Sequence, residues 1–176
     1  MINAAIETIT DMLNEYYALH FDQQETVAVA RDLHNSCVKS DVNTQNKIIV
    51  SLVKIKTSSA VYSQNRATRT LDYKIASPLH LELSVLISAN FSQAQYTQGL
   101  QVLSDCMRFL HNNAAINRDV RPQLSDKISK LILEIENLEF DDAHHLWTIL
   151  GSHYLPSALY KVRVMGIENS PQSLSL

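Results

Sequence analysis

The chain has 176 residues, 45% hydrophobic and 19% charged, with a formal net charge of −3. That length and balance suit one folded domain with its own core and argue against disorder and against a dedicated nucleic-acid binder. Its three glycines, Gly99, Gly151 and Gly166, stand far apart, so neither a dinucleotide fingerprint nor a phosphate loop can be written, and two cysteines are too few for a four-cysteine zinc site or a disulfide scaffold.

The chain opens Met1-Ile2-Asn3, and no Lys or Arg precedes Arg31. A basic start followed by an apolar stretch is missing, which predicts no secretory leader and folding in the cytoplasm with both thiols free. Ile2, Ala5, Ile6, Ile9, Met12, Leu13, Tyr16, Tyr17 and Leu19 follow a 3.6-residue period and predict an amphipathic helix over 2–20. Glu7, Asp11 and Glu15 share its polar side. Residues 26–30 are a short strand candidate, and 35–46 read as a polar loop. Residues 48–56 predict a central strand. Ile49, Val53 and Ile55 fall on one face and Ile48, Val50 and Leu52 on the other.

Residues 57–77 contain neither Gly nor Pro and are long for a plain connection, which marks a hairpin or a functional arm. Leu79, Leu81, Leu83, Val85 and Ile87 then alternate with His80, Glu82 and Ser84, a strand over 79–88. Ser92-Gln93-Ala94-Gln95 has the form of a capping box for a helix reaching His111. Its apolar stripe is Tyr96, Leu100, Leu103, Met107 and Leu110. A fourth strand spans 128–136 and a short helix 140–150. Gly151 suits the left-handed residue past that helix, and Pro156 confirms the break. The last strand spans 159–167, with Lys161 and Arg163 opposite Val162 and Val164. The Ser-rich residues 168–176 read as a mobile tail. The sum is one α+β domain over 1–167: a mixed or antiparallel sheet of about five strands, with an N-terminal helix and two further helices packed on it.

Catalytic and metal chemistry finds little support. His34, Cys37, Cys106 and His111 could in principle form a zinc site, but Cys106 lies on the apolar stripe, where cysteine is usually inert core. His144 and His145 are neighbours on a helix and cannot share one ion. Ser152-His153 lacks the glycine elbow of a hydrolase. Asp141-Asp142 suits a helix start for dipole reasons. No cofactor is expected. The segment 54–74 is basic, with Lys54, Lys56, Arg66, Arg69 and Lys74 against Asp72, and Tyr62 and Tyr73 stand among them. Such a mixture fits a protein interface or nucleic-acid stacking, and so few bases favour the protein. Glu134, Glu136, Glu139, Asp141 and Asp142 form an opposite, acidic run. His80 reads as a surface or interface residue, and Trp147 as a core anchor or an interface hot spot.

Several blocks, taken together, resemble one family. They are Met1 to Ala5, Asn46 to Val53, Pro78 to Leu83, Ile87 to Phe91, Glu136-Asn137-Leu138, His145-Leu146-Trp147, and Gly151 through Arg163. The chain is similar to the cap, or tube-terminator, proteins of extracellular contractile injection systems of the antifeeding-prophage and virulence-cassette type. The resemblance implies a fold like that of phage tail terminators and a structural, non-enzymatic role. It implies a six-fold ring that ends the inner tube and holds the last sheath ring. It implies tube and sheath proteins as partners, with no membrane and no specific nucleic acid. Assembly would occur in the bacterial cytoplasm, before release with the particle. The expected subunit, tube or sheath contacts are Tyr62, Arg66, Arg69, Tyr73, Lys74, His80, Lys161 and Arg163. The expected structural residues are Trp147, Gly151, Tyr154 and Pro156. The chain departs from the family in the lack of Pro and Gly at 57–77 and in Glu139 at the start of the last helix. A small adaptor binding nucleic acid or an effector through residues 54–74 is the other reading the residues leave open.

Overall fold

A computed structural model describes residues 1–21, 25–33, 44–57 and 79–166. Helix α1 (Ile2–Phe21) turns Ala5, Ile6, Ile9, Met12, Leu13 and Tyr17 inward, as the period requires. Two threonines share its inner side without stranding a hydroxyl. Thr8 Oγ1 donates to the Ala4 carbonyl at 2.7 Å, and Thr10 Oγ1 to that of Ile6 at 2.9 Å.

The strands are β1 (Ala28–Ala30), β2 (Lys47–Thr57), β3 (His80–Asn90), β4 (Ala115–Asn117), β5 (Ile128–Glu136) and β6 (Ser157–Gly166). They form one mixed sheet in the order β1-β2-β3-β6-β5-β4. Among the described strands, only the β1–β2 pair is parallel. Helix α2 (Tyr96–Asn112) follows a 3₁₀ turn, and α3 (Phe140–Leu150) links β5 to β6. The class matches the sequence reading, with one strand more: three-residue β4 is too short to show a period in sequence.

The main core lies between one sheet face and helices α1 and α2. Ile48, Val50, Leu81, Leu83, Val85, Ile87, Leu131, Leu133, Val162 and Val164 supply the sheet side. A smaller cluster of Leu33, Ile49, Leu86, Trp147 and Leu159 occupies part of the other face, under α3. Strand β2 is thus covered on both faces, but only over its first half. From Lys54 onward it is exposed.

Four local expectations fail. Ile55 was expected on the face of Ile49 and Val53, but a bulge between Leu52 and Lys54 turns it to the other face, opposite Leu83. The α2 stripe is Gly99, Leu103, Cys106 and Leu110, because Tyr96 and Leu100 lie on the solvent side. Leu79 precedes β3 and is exposed. Ser92 makes no side-chain cap to a main-chain amide. Its carbonyl accepts from the Gln95 N–H at 2.9 Å, and its hydroxyl meets the Gln95 side chain.

Two glycines end elements of the fold. Gly151 closes α3 at φ 61°, as expected, with its N–H donating to the Thr148 carbonyl at 3.1 Å. Gly166 ends β6 against the chain entering β3: a Cβ there would stand 2.5 Å from the Leu79 carbonyl oxygen.

Candidate functional site

The sheet face that carries α3 has two halves. One half is the apolar cluster around Trp147. The other half is a charged surface built from β2, β3, β6 and β5 in adjacent columns. Strand alternation places Lys54 and Lys56 there from β2, and His80 and Glu82 from β3. Strand β6 contributes Lys161 and Arg163, and β5 contributes Glu134 and Glu136. The columns therefore alternate in sign across the sheet: basic β2, acidic β3, basic β6, acidic β5.

Neighbouring columns pair. Lys56 Nζ lies 3.7 Å from Glu82, and Lys161 Nζ lies 3.9 Å from Glu136. Arg163 donates a short hydrogen bond to Glu134. That bond holds the Glu134 carboxyl below the usual carboxylate range and raises the Arg163 guanidinium. Lys54 has no ion pair among the described residues. His80 opens β3 opposite Met165, with its Nδ1 buried and without a hydrogen-bond partner in the described residues.

The expected site residues divide. Lys161, Arg163 and His80 come together on this face. Tyr62, Arg66, Arg69, Tyr73 and Lys74 lie outside the described residues, as does the tail 168–176. Trp147 is buried, and Tyr154 packs against it edge to face at 5.6 Å while staying exposed to solvent. The Pro156 carbonyl accepts from the Ala89 N–H at 2.9 Å and pins the segment after α3 to the end of β3.

Some acids expected to face outward have partners inside the chain. Arg121 grips Glu15 with both guanidinium arms, at 2.8 and 2.9 Å, and lies 3.9 Å from Asp11. Sequence reading missed Arg121, because its partner lies 106 residues away.

A second polar group sits in the main core. Cys106 is fully buried, and burial pushes its thiol up to about 12. Burial likewise pushes the Tyr160 hydroxyl up to about 12 and raises Tyr17. Groups held neutral in this way are poor nucleophiles at neutral pH. His34 and Cys37 lie outside the described residues, and no described group of three or more His, Cys, Asp or Glu is placed to hold a metal. No helix among the described residues is long and apolar enough to cross a membrane.

Solved structures share this helix-backed mixed sheet. One is the sheath/tube terminator of an extracellular contractile injection system, PVC, in its extended state. It matches with a TM-score of 0.59 and 18% identity, over 98% of this chain and 59% of that one. Another is the tube-terminating cap of the anti-feeding prophage, with a TM-score of 0.55 and 20% identity, over 97% of this chain and 58% of that one. The fold is that of tube terminators of contractile injection systems. The chain belongs to the Pvc16 N-terminal domain family, whose sequence model matches residues 4–174. It spans less than two thirds of the length of either matched structure. No curated protein matches it.

Proposed function

We propose that this chain is the terminator of a contractile injection particle. Copies form a ring on the last layer of the inner tube, stop its growth and hold the last sheath ring. The observation that carries the reading is the shared fold, which runs over 98% of this chain in a structure described as a sheath/tube terminator. Family membership over residues 4–174 supports it. The role is structural rather than catalytic. Its partners are tube and sheath subunits. Assembly takes place in the bacterial cytoplasm, and the cap leaves with the particle.

A terminator must match a repeating ring on one side and offer no further template on the other. Head-to-tail contacts with closing rotation make such rings. The charged sheet face fits a contact surface, since complementary charge sets register more than affinity. The bases Arg66 and Arg69 are assigned to contacts with a neighbouring subunit, tube or sheath.

The test is copurification of the tagged full chain with tube and sheath subunits, followed by imaging of particle ends. Rings of about six copies on tube ends are expected, in keeping with closed cyclic symmetry. Tubes that end normally without this chain overturn the reading. Charge reversal at Arg66 and Arg69 should release the cap without unfolding it.

A further inference from the structure

Among the described residues, each border of the sheet is only half covered. On one side β1 pairs with β2 at Ile48, Ile49 and Val50, and the Arg31 N–H reaches the Val50 carbonyl at 3.2 Å. Beyond that, no described residue pairs with the outer edge of β2. On the other side β4 pairs with β5 at Lys130, Leu131 and Ile132, and the Leu133 N–H donates to the Ala114 carbonyl at 2.7 Å. Beyond that, no described residue pairs with the outer edge of β5. The two open stretches have matching patterns. One is Lys54-Ile55-Lys56, and the other is Glu134-Ile135-Glu136. Ile55 is 49% exposed and Ile135 is 42% exposed.

We propose that these two open edges pair with each other between copies, so that the sheet continues from the β5 edge of one chain into the β2 edge of the next. The inference rests on the reading of this chain as a ring subunit and names the contact between neighbours.

Four features agree with it. The first is direction. Strands β2 and β3, β3 and β6, and β6 and β5 are each antiparallel, so β2 and β5 of one chain run in opposite senses. A copy continuing the sheet therefore places its β2 antiparallel to β5. The second is facing. Ile55 lies on the face of Leu83, and Ile135 pairs with Tyr160, two residues from Val162 on that same face. Both isoleucines thus belong to the core-side face, and all four charged residues to the other.

The third is the main chain. Leu133 turns its N–H outward to Ala114, so Ile135, two residues on, turns its main-chain groups outward too. Ile48 and Val50 do the same toward β1, and the bulge after Leu52 passes that direction to Ile55. Ile55 against Ile135 is then a hydrogen-bonded antiparallel pair, with Lys54 opposite Glu136 and Lys56 opposite Glu134. The fourth is charge. The columns alternate in sign from β2 to β5, and a basic column is the next in that series. Like edges would set Lys on Lys or Glu on Glu, which is unfavourable directly across a pair. The pairing is thus head to tail, the kind that closes into rings. An open edge of this kind also needs a cover to avoid uncontrolled pairing.

The test uses the full chain with Cys37→Ser, in which the buried Cys106 is the only native thiol left. Chains carrying Ile55→Cys are mixed with chains carrying Ile135→Cys under mild oxidation. The Cα separation of a hydrogen-bonded antiparallel pair, about 5.5 Å, lies inside the range a disulfide accepts. A covalent dimer is expected in the mixture and not with either variant alone, and the double variant should give a ladder. Oxidation accumulates transient pairs, so no crosslink in the mixture overturns the proposal, as does a dimer from a single variant. Lys54→Glu supplies a second readout that needs no cysteine. It should cut dimer yield or light scattering several-fold at low salt, and unchanged association counts against the pairing. Native mass of the unmodified chain separates the failures. Rings without the crosslink defeat the edge pairing alone, whereas tube ends that lack a ring defeat the terminator reading.

Discussion

Asn14 bonds to Ala28 as one strand bonds to another. Asn14 Oδ1 accepts from the Ala28 N–H at 2.8 Å, and its Nδ2 donates to the Ala28 carbonyl at 2.9 Å. The same Oδ1 also accepts from the Val27 N–H at 3.0 Å. One helix side chain thus takes the place of a neighbouring strand at Ala28, on the outer edge of β1. Replacing Asn14 with Leu leaves three main-chain groups without these partners. Unmet buried groups cost roughly 1–3 kcal/mol each, and partial access to water reduces that. Asn14→Leu should lower unfolding stability by about 2 kcal/mol, read as the urea midpoint shift at constant slope. An unchanged midpoint would show that water replaces the amide fully.

Glu134 and Arg163 predict an acid-side effect. Arg163 holds the folded carboxyl below its usual range. The stability this gives is present above the unfolded value, about 4.3, and is lost as pH falls through the lowered folded value. Between pH 5 and pH 3, the native chain should therefore lose more stability than Glu134→Gln does. Both residues are exposed enough for salt to shrink the difference. Parallel pH profiles for the two proteins would contradict this.

Cys106 predicts the reverse on the alkaline side. Its folded value is raised to about 12 by burial. The unfolded thiol titrates near 8.5, so stability is present below that pH and falls as pH climbs toward 12. Cys106→Ala should be less stable than the native chain at pH 7, by about 1 kcal/mol for the small cavity. It should also lose less between pH 8 and pH 10.5. In the Cys37→Ser chain, thiol reagents should label Cys106 only as fast as the protein opens.

Trp147 is the sole tryptophan, and α3 inserts it into the smaller cluster. Its emission should be blue-shifted in the native state and report docking of that helix. Trp147→Ala should cost about 3 kcal/mol or more, the usual size of a large aromatic deletion. A second reporter, such as far-ultraviolet circular dichroism, should show that the main core survives. Loss of the whole fold would mean that the two clusters are one cooperative unit.

The two structural glycines should fail differently. Gly151→Ala meets no atom within 4 Å and suffers only from its positive φ, a cost of about 1 kcal/mol. Gly166→Ala drives a Cβ against the Leu79 carbonyl, which main-chain movement alone can relieve. It should cost about 2–3 kcal/mol, more than Gly151→Ala, in paired thermal melts.

What the sequence determined by itself is what local periodicity encodes. The 3.6-residue spacing from Ile2 to Tyr17 defined α1, and two-residue alternation defined β3, β5 and the Lys161/Arg163 face of β6. Gly151 marked the end of α3 because its conformation is a local demand. The α+β class follows from these elements alone. The rest depended on contacts between distant residues. The bulge at Val53 is invisible to alternation, because one extra residue reverses the phase of everything after it, and so it moved Ile55 across the sheet. Asn14 and Arg121 look like ordinary surface residues until folding brings Ala28 and Glu15 to them. The acidic and basic runs were plain in the sequence as runs. Only the strand order β2-β3-β6-β5 turned them into columns of alternating sign, with a basic edge on one border and an acidic edge on the other, because register and order are set by the packing of the whole sheet.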